Sequence, residues 1–166
     1  MKKIVLLFAV LGIFGLAHAQ DGGGLRIGAH VGLPVGDASD ILSFNFGADV
    51  SYLFDVAPGF QAGLASGYSH YLGKDIDFAD LGTLEVPDLG VIPIAATGRY
   101  AVTPTFFVAG DIGYAVFVGK DTDGGGFYYQ PKVGYSATKF DVYAGYKGIS
   151  DNGTVGSINL GINFKF

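Results

Sequence analysis

Ser43-Phe44-Asn45-Phe46-Gly47-Ala48-Asp49-Val50-Ser51-Tyr52-Leu53-Phe54 changes character at almost every residue. On an extended chain, Phe44, Phe46, Ala48, Val50, Tyr52 and Phe54 fall on one side and Ser43, Asn45, Gly47, Asp49 and Ser51 on the other. Successive side chains of a strand point to opposite faces, so a period of two held this long describes a β-strand with one apolar and one polar face. A helix would scatter both classes around its axis.

Moving outward from this stretch, the same period returns. Upstream, Leu25, Ile27, Ala29, Val31 and Leu33 alternate with Arg26, Gly28, His30 and Gly32. Downstream, a third segment sets Phe60, Ala62, Leu64, Ser66, Tyr68 and Leu72 against Gln61, Gly63, Ala65, Gly67 and Ser69. A fourth places Ile92, Ile94, Ala96 and Tyr100 against Gly90, Thr97 and Arg99. Pro93 and the Ala95-Ala96 pair blur its phase, and Pro93, which has no N–H for a ladder, points to a bulge or a strand start. The fifth sets Phe106, Val108, Ile112, Tyr114, Val116 and Val118 against Ala109, Asp111, Gly113 and Ala115. Phe127, Tyr129, Val133, Tyr135 and Ala137 oppose Gln130, Lys132, Gly134, Ser136 and Thr138 in the sixth. The seventh has Phe140, Val142, Ala144 and Tyr146 against Lys139, Asp141, Gly145 and Lys147. The last puts Ile158, Leu160, Ile162, Phe164 and Phe166 opposite Asn159, Gly161, Asn163 and Lys165.

Eight such segments predict an all-β chain. Their connections alternate in length: Gly36–Leu42, Gly73–Asp88, Gly119–Gly126 and Gly148–Thr154 form a longer set, and the breaks near Asp55–Pro58, Ala101–Pro104 and Thr138-Lys139 a shorter one. Consecutive antiparallel strands with long connections at one end and short ones at the other form an up-and-down arrangement, with both termini at the short-connection end.

Composition says what surrounds it. Hydrophobic residues make up 49% of the 166 and charged ones 15%, against about 25% charged in a typical soluble domain. A mean hydropathy of +0.39 excludes disorder. The absence of Cys excludes a disulfide scaffold, Cys-ligated zinc, a catalytic thiol and a lipoprotein anchor. Met1-Lys2-Lys3, the apolar run Ile4–Leu16 and Ala17-His18-Ala19 have the three parts of an export leader, so residues 1–19 are expected to be removed and residues 20–166 to form one domain. Without Lys2 and Lys3 the chain has eight Lys+Arg against fifteen Asp+Glu, a formal −7, which argues against nucleic acid as a partner.

Beyond the leader no apolar run reaches the 18 residues of a spanning helix. The remaining way for an apolar chain to satisfy every backbone N–H and C=O in lipid is a closed barrel. The reading is therefore an eight-stranded antiparallel up-and-down transmembrane β-barrel. Its apolar face is expected to point to lipid, because the other face, rich in Gly, Ala, Ser and Asn, would coat a soluble protein poorly yet suits a narrow interior. Arg26, His30, Asp49, Arg99, Asp111, Lys132, Asp141 and Lys147 then form a polar network in the lumen, their opposite charges neutralising one another. Aromatic residues gather at strand ends, as membrane interfaces favour: Tyr52, Phe54, Phe60, Tyr100, Phe106, Phe140, Phe164 and Phe166 at one rim, and Tyr68, Tyr114, Phe127, Tyr129 and Tyr146 at the other.

On the closing strand Ser157–Phe166, with apolar residues at every second position back from a terminal Phe, the chain resembles the small OmpA/OmpX-like outer-membrane β-barrels of Gram-negative bacteria. The segments Leu84-Glu85-Val86-Pro87 and Gly126-Phe127-Tyr128-Tyr129-Gln130-Pro131 add to the likeness. The resemblance implies a cell outer-membrane location, contact with membrane lipid and lipopolysaccharide, and a monomer. It also implies that Leu160, Ile162, Phe164 and Phe166 are the signal read by the outer-membrane insertion machinery. It implies no catalytic residues.

Other constellations are weak. His30 reads as a satisfied interior histidine rather than a proton-linked gate. Ser69 and His70 are adjacent on a strand and so face opposite ways, which separates a would-be nucleophile from its base. Asp121-Thr122-Asp123-Gly124 begins like a calcium loop but lacks the later ligands. The outer connections carry Asp37, Asp40, Asp75, Asp77, Asp80, Glu85, Asp88, Asp121, Asp123 and Asp151 against Lys74 and Lys120, read as a solvated acidic surface. No metal, cofactor or catalytic site is expected, and the functional reading is a non-enzymatic structural or surface-interaction barrel. Two alternatives stand beside it: a narrow pore for ions or small solutes, and a soluble periplasmic carrier of lipocalin type.

Overall fold

The computed structural model describes residues 23–78, 82–119, 124–151 and 153–166. The leader at residues 1–19 lies outside them, as do Asp80, Lys120, Asp121 and Asp123 of the acidic connections.

The eight alternating segments become the barrel strands, and the described residues add two more: β1 (Gly24–Val35), β2 (Leu42–Ala57), β3 (Phe60–Gly73), β4 (Asp75–Phe78), β5 (Gly82–Glu85), β6 (Leu89–Ala101), β7 (Phe106–Val118), β8 (Gly125–Ser136), β9 (Phe140–Ser150) and β10 (Thr154–Lys165). A single helical turn, α1 (Ala38–Ile41), bridges β1 and β2. Eight strands close in the order β1-β10-β9-β8-β7-β6-β3-β2, and β4 pairs only with β5. Every pairing is antiparallel, and Arg26↔Lys165 through Val35↔Gly156 seal the seam between first and last strands. The fold is therefore an eight-stranded up-and-down barrel with a two-stranded ribbon inserted between β3 and β6, where the sequence shows only a polar interruption. Pro58-Gly59, with Gly59 at φ 73°, makes the two-residue turn between β2 and β3, where Gly adopts the left-handed conformation without strain.

The phase of the alternation sets what faces out. Leu33, Leu64, Ile94, Ile112, Val133 and Leu160 are exposed, each on the outer surface. Phe54, Tyr100, Phe106 and Phe166 are exposed near the short connections, and Tyr68, Tyr114 and Phe127 near the other rim. Arg26, His30, Asn45, Gln61, Asp111, Asp141, Lys147 and Asn159 are buried within. A water-soluble barrel around a greasy cavity is arranged the other way about. Here the outer surface is what lipid requires and the interior is polar.

Three local details depart from the sequence reading. Ser43 leaves the polar face: Leu42 pairs with Gly73 and Phe44 with Leu72, so an irregularity at Ser43 lets Leu42 turn inward while Phe44 stays outward. Pro93 is neither a strand start nor a bulge. It sits buried within β6, whose alternation is regular, and the ladder to β3 merely skips from Ser66↔Ile94 to Ser69↔Val91 with register unchanged. The Ser66 hydroxyl donates to the Pro93 carbonyl at 2.7 Å beside this gap. Lys139 lies exposed in the β8–β9 turn rather than on the inner face.

Candidate functional site: the polar lumen

The side chains inside the barrel form three layers, ordered by their positions along the strands. Nearest the short connections, Asp141 of β9 is the hub. Its carboxylate accepts from Arg26 Nε at 3.2 Å, Lys165 Nζ at 3.0 Å and Ser136 Oγ at 2.7 Å, with Arg99 at 3.6 Å. The Gln61 carbonyl oxygen accepts from both Arg26 (3.2 Å) and Arg99 (3.1 Å), while its amide donates to Asp55 at 2.8 Å. The Arg99 guanidinium also lies 4.2 Å over the Phe107 ring, a cation–π contact strengthened by exclusion of water.

In the middle layer Asp49 accepts from Tyr143 OH at 2.7 Å and meets His30 Nδ1 at 3.0 Å. Lys147 Nζ lies 3.1 Å from His30 Nε2 and donates to Ser69 Oγ at 2.7 Å. An ammonium only donates, so Nε2 is the accepting nitrogen and Nδ1 carries the hydrogen toward Asp49. Lys132 donates to Asp111 at 2.6 Å, and Tyr128 OH to Gln130 at 2.7 Å. The third layer is uncharged: Asn45 donates to Asn159 at 3.0 Å, and Ser157 joins Asn159 to Tyr71. Above it Tyr71, Val91, Ala115, Tyr128 and Ile149 pack as an apolar stopper with Ala38 and Leu42, each buried.

Ser69, His30 and Asp49 bond in the order of a nucleophile, base and orienting acid. Ser69 is 1% exposed and Lys147 likewise, and Ser69 borders neither of the small interior cavities at Asp49–Lys132 and Arg26–Arg99. Ser69 Oγ is thus shut off from solvent and held by His30 and Lys147. His70 lies on the outer side, bonded to Tyr68 and Asp88, separated from Ser69 by the wall of the barrel.

All eight residues expected in the lumen, Arg26, His30, Asp49, Arg99, Asp111, Lys132, Asp141 and Lys147, project inside and take part in these layers. Lys165 also joins the Asp141 cluster, and Asp55 meets it through Gln61. Sequence reasoning also missed Tyr71, Tyr128 and Tyr143, whose aromatic character suggests lipid. The available signal was their phase: Tyr143 is two residues from Asp141 and so shares its face. The terminal residues Leu160, Phe164 and Phe166 are exposed, and Ile162 partly so, on the outer side of the closing seam.

Comparison with known proteins places the architecture. The sequence matches no protein-family model and no curated protein. Among solved structures, the barrel is similar to Ail, the attachment invasion locus protein of Yersinia pestis (14% identity, TM-score 0.53, covering 87% of this chain and 97% of Ail). It is similar to the N-terminal β-barrel domain of Pseudomonas aeruginosa OprF (16% identity, TM-score 0.52, 87% and 100% covered). It also resembles a de novo designed transmembrane β-barrel (14% identity, TM-score 0.55, 90% and 100% covered). At these identities the likeness is one of fold, and that fold is the small eight-stranded outer-membrane β-barrel.

Proposed function

We propose that this chain is an integral, non-enzymatic barrel of the bacterial outer membrane whose lumen is closed, and that it acts as a structural or surface-interaction protein. The observation that carries the reading is the filled interior inside an apolar wall. Two interior cavities among the described residues are about 20 and 30 Å³, water-sized spaces, and the Tyr71–Val91–Ile149 stopper lies between them and the long connections. Eight strands leave an interior just wide enough for side chains. A pore needs a continuous path, and the side-chain layers with the stopper above them leave little room for one.

On this reading residues 1–19 direct export and are removed, and Leu160, Ile162, Phe164 and Phe166 present an insertion signal to the membrane-assembly machinery. The outer wall contacts membrane lipid, and the acidic long connections face lipopolysaccharide and the exterior. Ail is named for an attachment invasion locus, and contact with another surface through the long connections is the role proposed here. Two measurements test the proposal. A folded barrel resists SDS until heated, so unboiled and boiled membrane fractions are expected to migrate differently on a gel. Purified protein in a planar bilayer is expected to pass no discrete currents, and stepwise openings would defeat the closed-lumen reading.

A further inference from the structure

Asp111 of β7 and Gln130 of β8 stand directly opposite each other inside the barrel, each 3% exposed. Both are anchored at one polar atom. Asp111 Oδ2 accepts from Lys132 at 2.6 Å, and the Gln130 carbonyl oxygen accepts from Tyr128 OH at 2.7 Å. The other atom of each, Asp111 Oδ1 and Gln130 Nε2, is buried with no hydrogen-bond partner among the described residues. Buried polar atoms are rarely left so, because the water they give up on folding is not replaced.

A cavity of about 20 Å³ lies beside the pair, lined by both residues with Asp49, Tyr128, Lys132 and Tyr143. The unmet atoms are one acceptor and one donor, so a fitting ligand must both donate and accept. An anion would face the Asp111 carboxylate, and a cation would face the Gln130 N–H and Lys132. Charge here is also matched without a ligand: Asp111 pairs with Lys132, and Asp49 reaches Lys147 through His30. The volume suits a single water molecule. The second cavity, about 30 Å³, adjoins the first, since Ser51, Lys132, Tyr143 and Asn163 line both. Arg99 is on its wall, and Arg99 Nε is likewise buried without a partner among the described residues. We propose that the two cavities bind a short file of ordered waters, one bridging Gln130 Nε2 to Asp111 Oδ1 and a further one accepting from Arg99 Nε. The file joins the middle layer to the Asp141 layer, so that the charged interior is one hydrogen-bonded unit.

Nuclear magnetic resonance of the folded protein in detergent micelles tests this. Cross-relaxation with water is expected at the Gln130 side-chain amide protons and at Arg99 Nε–H, and its absence at both would overturn the proposal. A hydroxyl proton that exchanges with water can imitate the effect, and Tyr128 OH is bonded to the same amide group. The Gln130 signal is therefore expected to persist in Tyr128→Phe, whose folding is checked by heat-modifiable gel migration. Its disappearance in the folded variant would assign it to the hydroxyl and overturn the bridging water. Crystals of the unaltered protein grown with rubidium in place of sodium keep the test independent of that variant. They are expected to show density between Asp111 and Gln130 without anomalous signal. An anomalous peak there would make the occupant a cation, and a direct Gln130–Asp111 bond with nothing between would leave no ligand; either result overturns the assignment.

Discussion

Asp141 is the residue whose loss the structure makes most costly. Three cations meet at a carboxylate whose side chain is 2% exposed, and removing one partner of a buried ion pair leaves the other's charge poorly compensated. Asp141→Asn keeps the shape and is expected to destabilise the barrel by about 3–5 kcal/mol, read as a lower urea midpoint for unfolding from lipid vesicles. On the outer side the carboxylate of Asp88 does a lighter task. Its Oδ1 accepts the Gly73 amide at 2.9 Å and its Oδ2 meets His70 Nε2 at 3.1 Å. The Gly73 N–H bond above all holds its pKa below the ordinary 3.8; desolvation opposes it, and His70 adds to the lowering. A depressed carboxylate contributes its tether fully above the unfolded value and loses it as pH falls through the lower folded value. The tie between the end of β3 and the start of β6 is therefore expected to hold down to about pH 4 and release below it. Hydrogen exchange at the Gly73 amide, corrected for intrinsic rate, should lose protection in that acid range, and Asp88→Asn should lack it at neutral pH.

Elements gain their stability from what crosses between strands. Gly161 of β10 stands directly opposite Tyr143 of β9, and a Cβ built at Gly161 runs into the Tyr143 ring. The ring covers a bare backbone patch and reaches on to Asp49, so glycine and tyrosine are one structural unit. Gly161→Val would push the ring away, an overpacking expected to cost about 1–3 kcal/mol, and to cost less when combined with Tyr143→Ala in a double-mutant cycle. Such pairs explain what the sequence does and does not reveal. The period of two in β2 or β10 is local, so face and strand count are readable from consecutive residues. The unbroken register past Pro93, the inward turn of Leu42 and the inward tyrosines depend on which strand lies opposite and how much room the lumen leaves. The Lys74–Asp88 interruption hides a ribbon, β4–β5, because strands of four residues are too short for a period of two to stand out in the sequence. Of the lumen network the charged members are legible, since charge in an apolar alternation stands out. Lys165, near the chain end, is legible by phase but not by partnership, which Arg26 and Asp141 of distant strands create.

The whole molecule rests on one inversion: greasy side chains outside, ionic ones on the axis. Val108 and Val133 are direct neighbours across β7 and β8, 43% and 59% exposed, and so stand in the middle of the apolar wall. Gly113 and Lys132 sit on the same two strands in the opposite phase, with Lys132 bonded to Asp111 inside. Lipid can accept the first pair only if strand hydrogen bonding is complete around the ring, since an open edge in hydrocarbon leaves unpaired backbone groups at several kcal/mol each. The seam from Arg26↔Lys165 to Val35↔Gly156 meets that condition. Spin labels at positions 108 and 133 of vesicle-reconstituted protein should collide freely with dissolved oxygen and hardly at all with a water-soluble nickel complex. If both labels relax with the aqueous reagent instead, the wall faces water, the ionic core loses the low-dielectric surroundings that make its pairing decisive, and the closed-barrel account fails with it.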